Sequence, residues 1–334
     1  MGVGSPARLP GEFELIRKYF APLAAGAPGS LALEDDACTY RPPDDTELVL
    51  TADALIEGRH YLADDPADLV ARKMLRVNLS DLAAKGAKPV GYLMTMALGP
   101  AIDEAWIAAF TSGLAHDQKE FDIPLMGGDT VATPGPTSLS VTALGVVPVG
   151  RALRRTTAAP GDRLYVSGTI GDGVLGLRVL RRELTGLTRS HAEALADRYH
   201  LPQPRLALGR ALLEGSLAGA SMDVSDGLVG DAAHIAEASR CGLIIHADRV
   251  PLSAAAEHAL ADDLELLPTI LSGGDDYELL FTAPDEAAPK IARLAANLSL
   301  PITEIGEVTN RTGVTVLDRD GVEIRMTQGG FQHF

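Results

Sequence analysis

The chain has 334 residues, of which 46% are hydrophobic and 22% are charged, and this composition predicts a globular protein with two domains. Its 45 acidic and 29 basic residues give a formal net charge of −16, which argues against binding to nucleic acid or to an anionic membrane surface. The two cysteines stand alone, no apolar run reaches the roughly 20 residues that span a bilayer, and residues 1–10 lack an apolar signal-peptide core. We therefore expect a cytoplasmic protein with no membrane or nucleic-acid partner.

The first half of the chain alternates between helical and strand patterns. Apolar residues at helical spacing predict helices over 11–24, 66–87 and 104–120. Apolar and β-branched runs predict strands over 47–53, 90–98, 123–126 and 137–147. Taken alone, Gly127-Gly128-Asp129-Thr130 is typical of a tight turn after the third strand, and paired glycines also let backbone N–H groups approach a ligand. The pattern predicts an α+β domain with helices between strands.

The best candidate for a domain boundary is residues 150–161, where three arginines precede the turn signal at 158–161. The predicted domains are therefore residues 1–150 and 151–334. In the second domain the patterns predict strands over 163–167, 220–224, 243–246, 277–281, 303–308 and 314–317. They predict helices over 173–184, 190–198, 205–215, 228–239 and 285–298.

Acidic residues recur where a predicted strand or helix meets a loop. They are Asp35, Asp36, Asp53, Asp129, Asp223, Asp226, Asp275 and Asp276, and Asp81 joins them from within the predicted helix 66–87. Taken singly, each has an ordinary explanation, such as a solvated helix residue for Asp81 or a helix N-cap for Ser225 or Asp226. Carboxylates gathered from so many elements would repel each other unless cations lay between them, and hard oxygen ligands suit magnesium. The set as a whole predicts magnesium binding, with Asn78 and Asp81 on one helix face.

Other nucleotide and catalytic motifs are weak or absent. Residues 171–176 match GxGxxG, but no strand is predicted again until about residue 220, so a Gly-rich helix start is the better interpretation. No GxxxxGK[ST] or GxSxG occurs, and the histidines show no ligand spacing. The sequence therefore argues against a P-loop kinase, a triad hydrolase and a zinc enzyme.

Seven motifs occur in the order found in the thiamine-monophosphate kinase family, which the chain resembles from about residue 11 to its end. They are Asp35-Asp36-Ala37, Thr51-Ala52-Asp53 with Gly58-Arg59-His60, Asn78-Leu79-Ser80-Asp81-Leu82-Ala83-Ala84, Gly127-Gly128-Asp129-Thr130, residues 150–155, Asp223-Val224-Ser225-Asp226-Gly227-Leu228 and Ser272-Gly273-Gly274-Asp275-Asp276-Tyr277-Glu278-Leu279. The third and the last resemble that family more closely than other members of its superfamily. That superfamily includes aminoimidazole ribonucleotide synthetase, selenophosphate synthetase and a hydrogenase-maturation protein.

The resemblance implies an α/β (α+β) fold with the two-domain architecture of the aminoimidazole ribonucleotide synthetase-like superfamily. The N-terminal mixed-sheet domain would bind ATP and metal and would form a homodimer through its sheet, and the C-terminal domain would be α/β. The implied reaction is ATP-dependent phosphorylation of thiamine monophosphate to thiamine diphosphate. It would proceed by direct in-line transfer assisted by several Mg2+ ions, without a side chain acting as nucleophile or general base.

The resemblance also implies roles for individual residues. The metal ligands would be Asp36, Thr51, Asp53, Asp81, Asp129, Asp223 and Asp226, with Ala52 contributing its backbone carbonyl. The residues touching ATP would be Gly128, Asp129, Arg155 and Ser225. The residues lining the thiamine monophosphate pocket would be His60, Asp275 and Phe331.

Three residues depart from the family pattern. Glu34 stands where Gly usually precedes the Asp pair, Ala52 stands where Thr or Ser is common, and Asp275 is often Glu in relatives. None of these changes removes a principal carboxylate. Two alternatives stay open: another ATP-using synthetase of the superfamily with a different acceptor, and a nucleotide- or metal-binding protein without catalysis.

Overall fold

The computed structural model describes residues 9–326, and the chain divides into two compact units. Unit 1 contains Met1–Leu82 and Lys88–Gly150, and unit 2 contains Ala83–Ala87 and Arg151–Phe334. Within residues 9–326, no helix combines the length and the apolar character that crossing a membrane requires.

Unit 1 begins with a helical run of three kinds instead of the single regular helix predicted over 11–24. Helix α1 covers only Glu12–Leu15, a π-helical segment follows over Ile16–Phe20, and a 3₁₀ segment covers Ala21–Ala24. Pro22 has no N–H to donate, so the regular i to i−4 hydrogen-bond pattern cannot continue through it. The change of helix type therefore has a local cause in the sequence.

After a further 3₁₀ segment over Pro28–Leu33, unit 1 contains a four-stranded mixed sheet with two long helices. In chain order they are β1 (Thr46–Ile56), α2 (Ala67–Ala84), β2 (Lys88–Leu98), α3 (Glu104–Phe121), β3 (Leu125–Ala132) and β4 (Ser138–Pro148). The strand order is β1-β4-β2-β3, in which β2 and β3 run parallel and the other neighbours are antiparallel. The α+β character predicted for this half is confirmed.

Helix α2 is almost entirely buried, and its charged residues are paired where they enter the interior. Leu79 and Leu82 have no exposed surface. Arg76 is 1% exposed, and its Nε lies 2.6 Å from Oδ2 of Asp117 on α3. A buried Arg needs such a partner, because an unpaired charge is costly away from water. Gly86, with φ of 70°, follows the helix in a conformation that favours glycine.

The tight turn that residues 127–130 indicate when taken alone is not what the structure has. These residues lie inside β3 in parallel register with β2, with Gly128 opposite Met94. A β-carbon at Gly128 would lie 1.9 Å from the carbonyl oxygen of Met94, so the two backbones approach more closely than a side chain would allow. The paired glycines here indicate close packing of two strands and not a change of direction.

The sheet of unit 1 has one buried face and one open face. Along β4, alternate residues such as Val141 and Ala143 have no exposed surface. Along β1, the residues of the other face are apolar and accessible: Leu48 is 40%, Leu50 62% and Ile56 36% exposed. This alternation follows from the two-residue period of a strand. The open face of β1 is therefore an apolar surface in the isolated chain.

Unit 2 is built around a six-stranded sheet. Its elements are β5 (Arg163–Ser167), α4 (Asp172–Leu180), α5 (Arg189–His200), α6 (Leu206–Glu214), β6 (Ser221–Asp223), α7 (Leu228–Ser239), β7 (Gly242–His246), α8 (Ala254–Asp262), α9 (Leu266–Ser272), β8 (Leu279–Ala283), α10 (Ala288–Leu298), β9 (Ile302–Thr309) and β10 (Gly313–Leu317). The strand order is β10-β7-β9-β5-β8-β6, with β10 parallel to β7 and all other neighbours antiparallel.

Alternate residues of the central strands enter two separate apolar clusters. Leu164 and Val166 of β5 belong to a cluster that includes Ile235 of α7. Tyr165, which lies between them, belongs to another cluster that includes Leu212 of α6 and Ile291 of α10. Because successive strand residues point to opposite faces, the sheet of unit 2 is covered by helices on both sides.

Helix α8 is an element that the sequence analysis did not predict. Ser253 caps it, since the Ser253 hydroxyl accepts a hydrogen bond from the backbone N–H of Ala256 at 3.1 Å. The available signal was this serine before an alanine-rich run, because Ser is a preferred N-cap residue and Ala has the highest helix propensity.

Candidate active site

Strand β1 and helix α2 bring together four polar side chains of unit 1, which we call the β1–α2 cluster: Thr51, Asp53, Asn78 and Asp81. The Thr51 hydroxyl donates to the Asp81 carboxylate, and the Asn78 Oδ1 accepts from the backbone N–H of Asp53 at 3.1 Å. Thr51 and Asp53 are half-buried, whereas Ala52 between them is exposed. Alternation along the strand therefore turns Thr51 and Asp53 toward α2 and Ala52 away from it.

The chemistry of the β1–α2 cluster fits a magnesium ion. Its side chains offer a hydroxyl and two carboxylates, which are hard oxygen ligands of the kind that Mg2+ prefers. Asn78 has no exposed surface and is engaged with the backbone of β1, so it fixes the strand against the helix. The residues predicted as ligands on β1 and α2 thus lie in one place, and Asn78 holds them there.

A cavity of about 590 Å³ in unit 1 brings a second set of predicted residues together. Asp35 and Asp36 line it from the N-terminal segment, and Gly128 and Asp129 line it from β3. Its apolar walls are formed by Ile16, Phe20, Leu33, Leu93, Leu125 and Met126. Polar side chains, among them Glu12, Thr95 and Thr142, line it as well, so the cavity could hold both the apolar and the polar parts of an organic ligand. The Asp carboxylates at this cavity are exposed and therefore accessible to a ligand or a cation.

His60 lies in the turn after β1, where its ring orientation is fixed. Its Nδ1 accepts a hydrogen bond from the backbone N–H of Ile56 at 3.0 Å. Tyr61 beside it is 4% exposed, and burial, followed by the charge of Glu57, raises the pKa of the Tyr61 hydroxyl. The turn is therefore a locally ordered part of unit 1.

Unit 2 gathers three carboxylates where β6 ends and α7 begins, which we call the β6–α7 cluster: Asp223, Asp226 and Asp231. Asp223 is 6% exposed at the end of β6, and Asp226 lies in the turn before α7. Asp231 is 1% exposed, and its Oδ2 accepts from the backbone N–H groups of Ser225 and Asp226, both at 3.0 Å. Sequence reasoning missed Asp231 because it lies inside the first turn of the helix and not at the end of an element.

The electrostatics of the β6–α7 cluster favour a bound cation. Burial, followed by the charges of Asp223 and Asp226, raises the pKa of Asp231 to about 8. Burial is the larger cause of this shift, and the smaller contribution of the neighbouring carboxylates is the part that a divalent cation would relieve. All the ligand atoms that the three side chains offer are carboxylate oxygens, so the donor set again suits Mg2+.

Residues 273–278 run beside the Ser225 turn and are joined to it through the backbone. The N–H of Asp275 donates to the Ser225 carbonyl at 2.9 Å, and the N–H of Tyr277 donates to the Val224 carbonyl at 2.7 Å. A β-carbon at Gly274 would lie 2.2 Å from the Ser225 carbonyl oxygen. The structure therefore places Ser225, predicted to touch ATP, next to Asp275, predicted to touch the acceptor.

Two other acids of this segment are structural. The Asp276 carboxylate accepts from the backbone N–H groups of Gly171 and Gly173 at 2.8 and 3.0 Å, and burial raises its pKa to about 8. Glu278 has no exposed surface and forms an ion pair with Arg205, whose Nε lies 2.6 Å from Oε2. The GxGxxG stretch thus opens helix α4, as predicted, and its N–H groups are bound by a side chain of the same unit.

The last two predicted residues are Arg155 and Phe331. Arg155 is exposed, and its carbonyl oxygen accepts from the Ser239 hydroxyl at 2.8 Å. The neighbouring Arg154 carbonyl accepts from the N–H of Ser221 at 2.9 Å. The segment is therefore anchored to β6 and α7, with the Arg155 side chain left accessible. Phe331 lies outside the described residues.

Both units match one class of protein. Residues 34–147 match the AIR synthase related protein N-terminal domain, and residues 159–319 match the AIR synthase related protein C-terminal domain. The chain is thus a two-domain AIR synthase related protein.

Full-length relatives narrow the class further. A thiamine-monophosphate kinase of Caulobacter vibrioides is 42% identical over 97% of this chain and 91% of its own length. The crystal structure of a thiamine-monophosphate kinase from Stenotrophomonas maltophilia K279a is 40% identical, with a TM-score of 0.78 over 87% of this chain and 91% of that one. The structure of AaThiL complexed with AMPPCP and TMP is 30% identical, with a TM-score of 0.77 over 96% of both chains. The chain belongs to the thiamine-monophosphate kinase family, so the fold class and family expected from the sequence are confirmed.

Proposed function

We propose that this chain transfers the γ-phosphoryl group of ATP to thiamine monophosphate, forming thiamine diphosphate and ADP. The observation that carries the proposal is the β1–α2 cluster, a ready set of oxygen ligands in a chain 42% identical to a thiamine-monophosphate kinase over nearly its full length. The relative solved with AMPPCP and TMP supports both the donor and the acceptor.

Magnesium ions are the proposed counterions of the phosphates. The proposed ligands in unit 1 are Asp36, Thr51, the Ala52 carbonyl, Asp53, Asp81 and Asp129. The proposed ligands in unit 2 are Asp223 and Asp226. Two unit charges about 4 Å apart repel by about 4 kcal/mol at an effective dielectric near 20, and both substrates are anions approaching a chain of net charge −16. Bound Mg2+ supplies positive charge that lets the two phosphates approach.

Separate sets of residues are the proposed contacts of ATP and of thiamine monophosphate. For ATP they are Gly128 and Asp129 in unit 1, and Arg155 and Ser225 in unit 2. For thiamine monophosphate they are His60, Asp275 and Phe331. The cavity beside Gly128 supports the first pair, because it has room for a small organic ligand next to an accessible strand backbone. The accessible guanidinium of Arg155 suits a phosphate, which it can bind through two parallel hydrogen bonds.

The proposed chemical step is a direct displacement at phosphorus. An oxygen of the acceptor phosphate forms a bond to the γ-phosphorus as the bond to the β–γ bridging oxygen breaks, and ADP leaves with that electron pair. The acceptor phosphate is already ionised, so no side chain has to remove its proton, and catalysis consists of positioning and charge stabilisation. Transfer from chiral γ-phosphorothioate should invert the configuration at phosphorus, whereas retention would indicate a phosphoenzyme.

We also propose that the chain is a homodimer formed by unit 1. The open face of β1, with Leu48, Leu50 and Ile56, is a contiguous apolar surface of the kind that marks protein interfaces. Light scattering after size exclusion should give twice the mass of one chain. Leu50→Asp should give the mass of a single chain while the far-ultraviolet circular dichroism stays unchanged.

The proposed reaction is tested by measuring ADP and thiamine diphosphate together. The two products should form in equal amounts, and only when ATP, thiamine monophosphate and Mg2+ are all present. Turnover with a different acceptor and none with thiamine monophosphate would indicate a sister synthetase. Calorimetric binding of ATP without turnover with any acceptor would indicate a binding protein.

A further inference from the structure

The turn that carries Ser225 and Asp226 is shaped by a carboxylate from the helix that follows it. Helix α7 has Gly227 at its N-cap, which offers no side chain, and Asp231 lies in its first turn. The Asp231 carboxylate does not cap the helix. It reaches back to the preceding turn, where a single oxygen accepts the N–H groups of two successive residues at 3.0 Å each.

The side of the turn that faces away from Asp231 is also held by neighbouring residues. The Ser225 carbonyl accepts from the N–H of Asp275 at 2.9 Å, and a β-carbon at Gly227 would lie 2.4 Å from the Ser272 carbonyl oxygen. The peptide groups on both sides of Ser225 are thus fixed by neighbours from two directions. With Asp231 removed, two partly buried N–H groups would lose their acceptor, and the turn could relax only on that side.

We infer that Asp231 is a positioning residue, which holds the Ser225–Asp226 turn in the shape that metal and nucleotide binding require, and is not itself a metal ligand. The inference rests on the proposed function, because Ser225 and Asp226 are proposed contacts of ATP and Mg2+. Oxygen ligands must keep nearly fixed positions around Mg2+, whose coordination is close to octahedral. A residue that sets the backbone of a ligand-bearing turn therefore controls affinity without touching the ion.

Direct coordination by Asp231 is the competing explanation. Ligand atoms of Asp226, Asp231 and His234 lie within 4.8 Å of one another, which is close enough for a shared ion. The hydrogen bonds favour the positioning role, because the Oδ2 atom of Asp231 already accepts two donors. The two explanations differ in what they need from the side chain: positioning needs one acceptor oxygen, and coordination needs the negative charge.

Asp231→Asn separates these needs, since the amide keeps an acceptor oxygen and removes the charge, whereas Asp231→Ala removes both. The matched control is Asp318→Ala, because Oδ1 of Asp318 also accepts two backbone N–H groups, those of Asp320 and Val322 at 2.9 and 2.8 Å. Binding of Mn2+ to the full chain with AMPPCP is measured by electron paramagnetic resonance, which requires no turnover. Thermal unfolding of each variant is recorded by circular dichroism.

We expect Asp231→Ala to bind Mn2+ at least about tenfold more weakly than Asp231→Asn, because Ala removes the acceptor oxygen as well as the charge, and residues that orient metal ligands typically contribute a factor of this size. Asp318→Ala should bind like the wild type. In turnover, Asp231→Ala should raise the Mg2+ concentration for half-maximal rate more than it lowers kcat at saturating Mg2+.

Four results would overturn the inference. Equal loss in the Asn and Ala variants would make Asp231 a ligand, and unchanged binding in the Ala variant would make it irrelevant to the metal. Equal loss in Asp231→Ala and Asp318→Ala would make the effect one of general stability. A wild-type chain that binds no Mn2+ with AMPPCP would refute the proposed metal ligands together with this inference. If the Ala variant does not fold, Asp231→Leu, which fills the space without an acceptor oxygen, is compared with the Asn variant in its place.

Discussion

Replacing Asp81 by Asn tests the β1–α2 cluster with the least disturbance of the fold. Asp81 is half-buried, and its carboxylate accepts a hydrogen bond from the Thr51 hydroxyl. Asn has the same shape and can still accept that bond. Hydrogen bonds to charged groups contribute about 1.5–3 kcal/mol and neutral ones about 0.5–1.5 kcal/mol. The free energy of unfolding should therefore fall by only about 1 kcal/mol.

The expected effect on magnesium is much larger, because the substitution removes a negative charge from the proposed ligand set. Even a pair of unit charges about 4 Å apart gains about 4 kcal/mol at an effective dielectric near 20. At about 1.4 kcal/mol per tenfold change, this weakens Mg2+ binding by roughly a thousandfold. The rate at a fixed, low Mg2+ concentration should fall by a similar factor.

The measurement is the initial rate of ADP formation against Mg2+ concentration, with thiamine monophosphate as acceptor. Asp68→Asn is the matched control, because Asp68 lies in the first turn of the same helix and is not among the proposed ligands. It should leave the Mg2+ dependence unchanged. If Asp81→Asn shows wild-type turnover and wild-type Mg2+ dependence, Asp81 holds no metal ion and the role proposed for the β1–α2 cluster is wrong.

Three further substitutions test the structural acids and the close strand contact. The pKa of Asp276 is about 8 in the folded chain and about 4 when unfolded, so the folded chain keeps a proton that the unfolded chain releases. The free energy of unfolding should therefore fall as pH rises from about 4 to about 8. Urea titrations at several pH values should show a smaller fall for Asp276→Asn than for the wild type. An equal fall in both proteins would contradict the role given to Asp276. Glu278→Ala removes the buried partner of Arg205 and should cost about 3–5 kcal/mol in urea unfolding, so a loss below 1 kcal/mol would show that the ion pair contributes little. Gly128→Ala should lower the free energy of unfolding by about 1–3 kcal/mol. Gly127→Ala is the control and should lower it less, because its β-carbon would meet only a flexible side chain at 3.3 Å. Equal effects of the two substitutions would contradict the close backbone contact at Gly128.

Elements with strong local signals could be predicted from the sequence to the residue. Strand β5 at 163–167 follows a Pro-Gly-Asp turn, and helix α7 at 228–239 follows Ser-Asp-Gly. Turn-forming and helix-capping residues therefore mark the start of each element. The passage of β3 through Gly127 and Gly128 could not be predicted, because it depends on parallel pairing with β2. A pair of glycines looks the same in a turn and in a close strand contact.

The sequence predicted the site only as a set of acidic residues and did not indicate which of them bind backbone N–H groups and which are available to a ligand. Asp276 and Asp275 are neighbours in sequence, yet Asp276 binds the N–H of Gly171, 105 residues away, whereas Asp275 is half-buried beside the Ser225 turn. Asp231 is buried because α7 packs against the sheet, and its sequence neighbours do not report that packing. Which carboxylate binds backbone and which is available to a ligand is decided by residues distant in sequence.

The hydrogen bonds that join residues 224–225 to residues 275–277 involve only main-chain atoms on the Ser225 side and on the Asp275 side. The φ of Asp275 is 72°, so a residue that tolerates the left-handed region, such as Asn or Gly, can replace it while these bonds stay in place. Under the proposed assignment, in which Asp275 contacts the acceptor and Ser225 contacts ATP, such a substitution would change acceptor binding and leave the Ser225 turn as it is. With this arrangement, the residue proposed to bind the acceptor can change while the turn proposed to bind ATP stays the same.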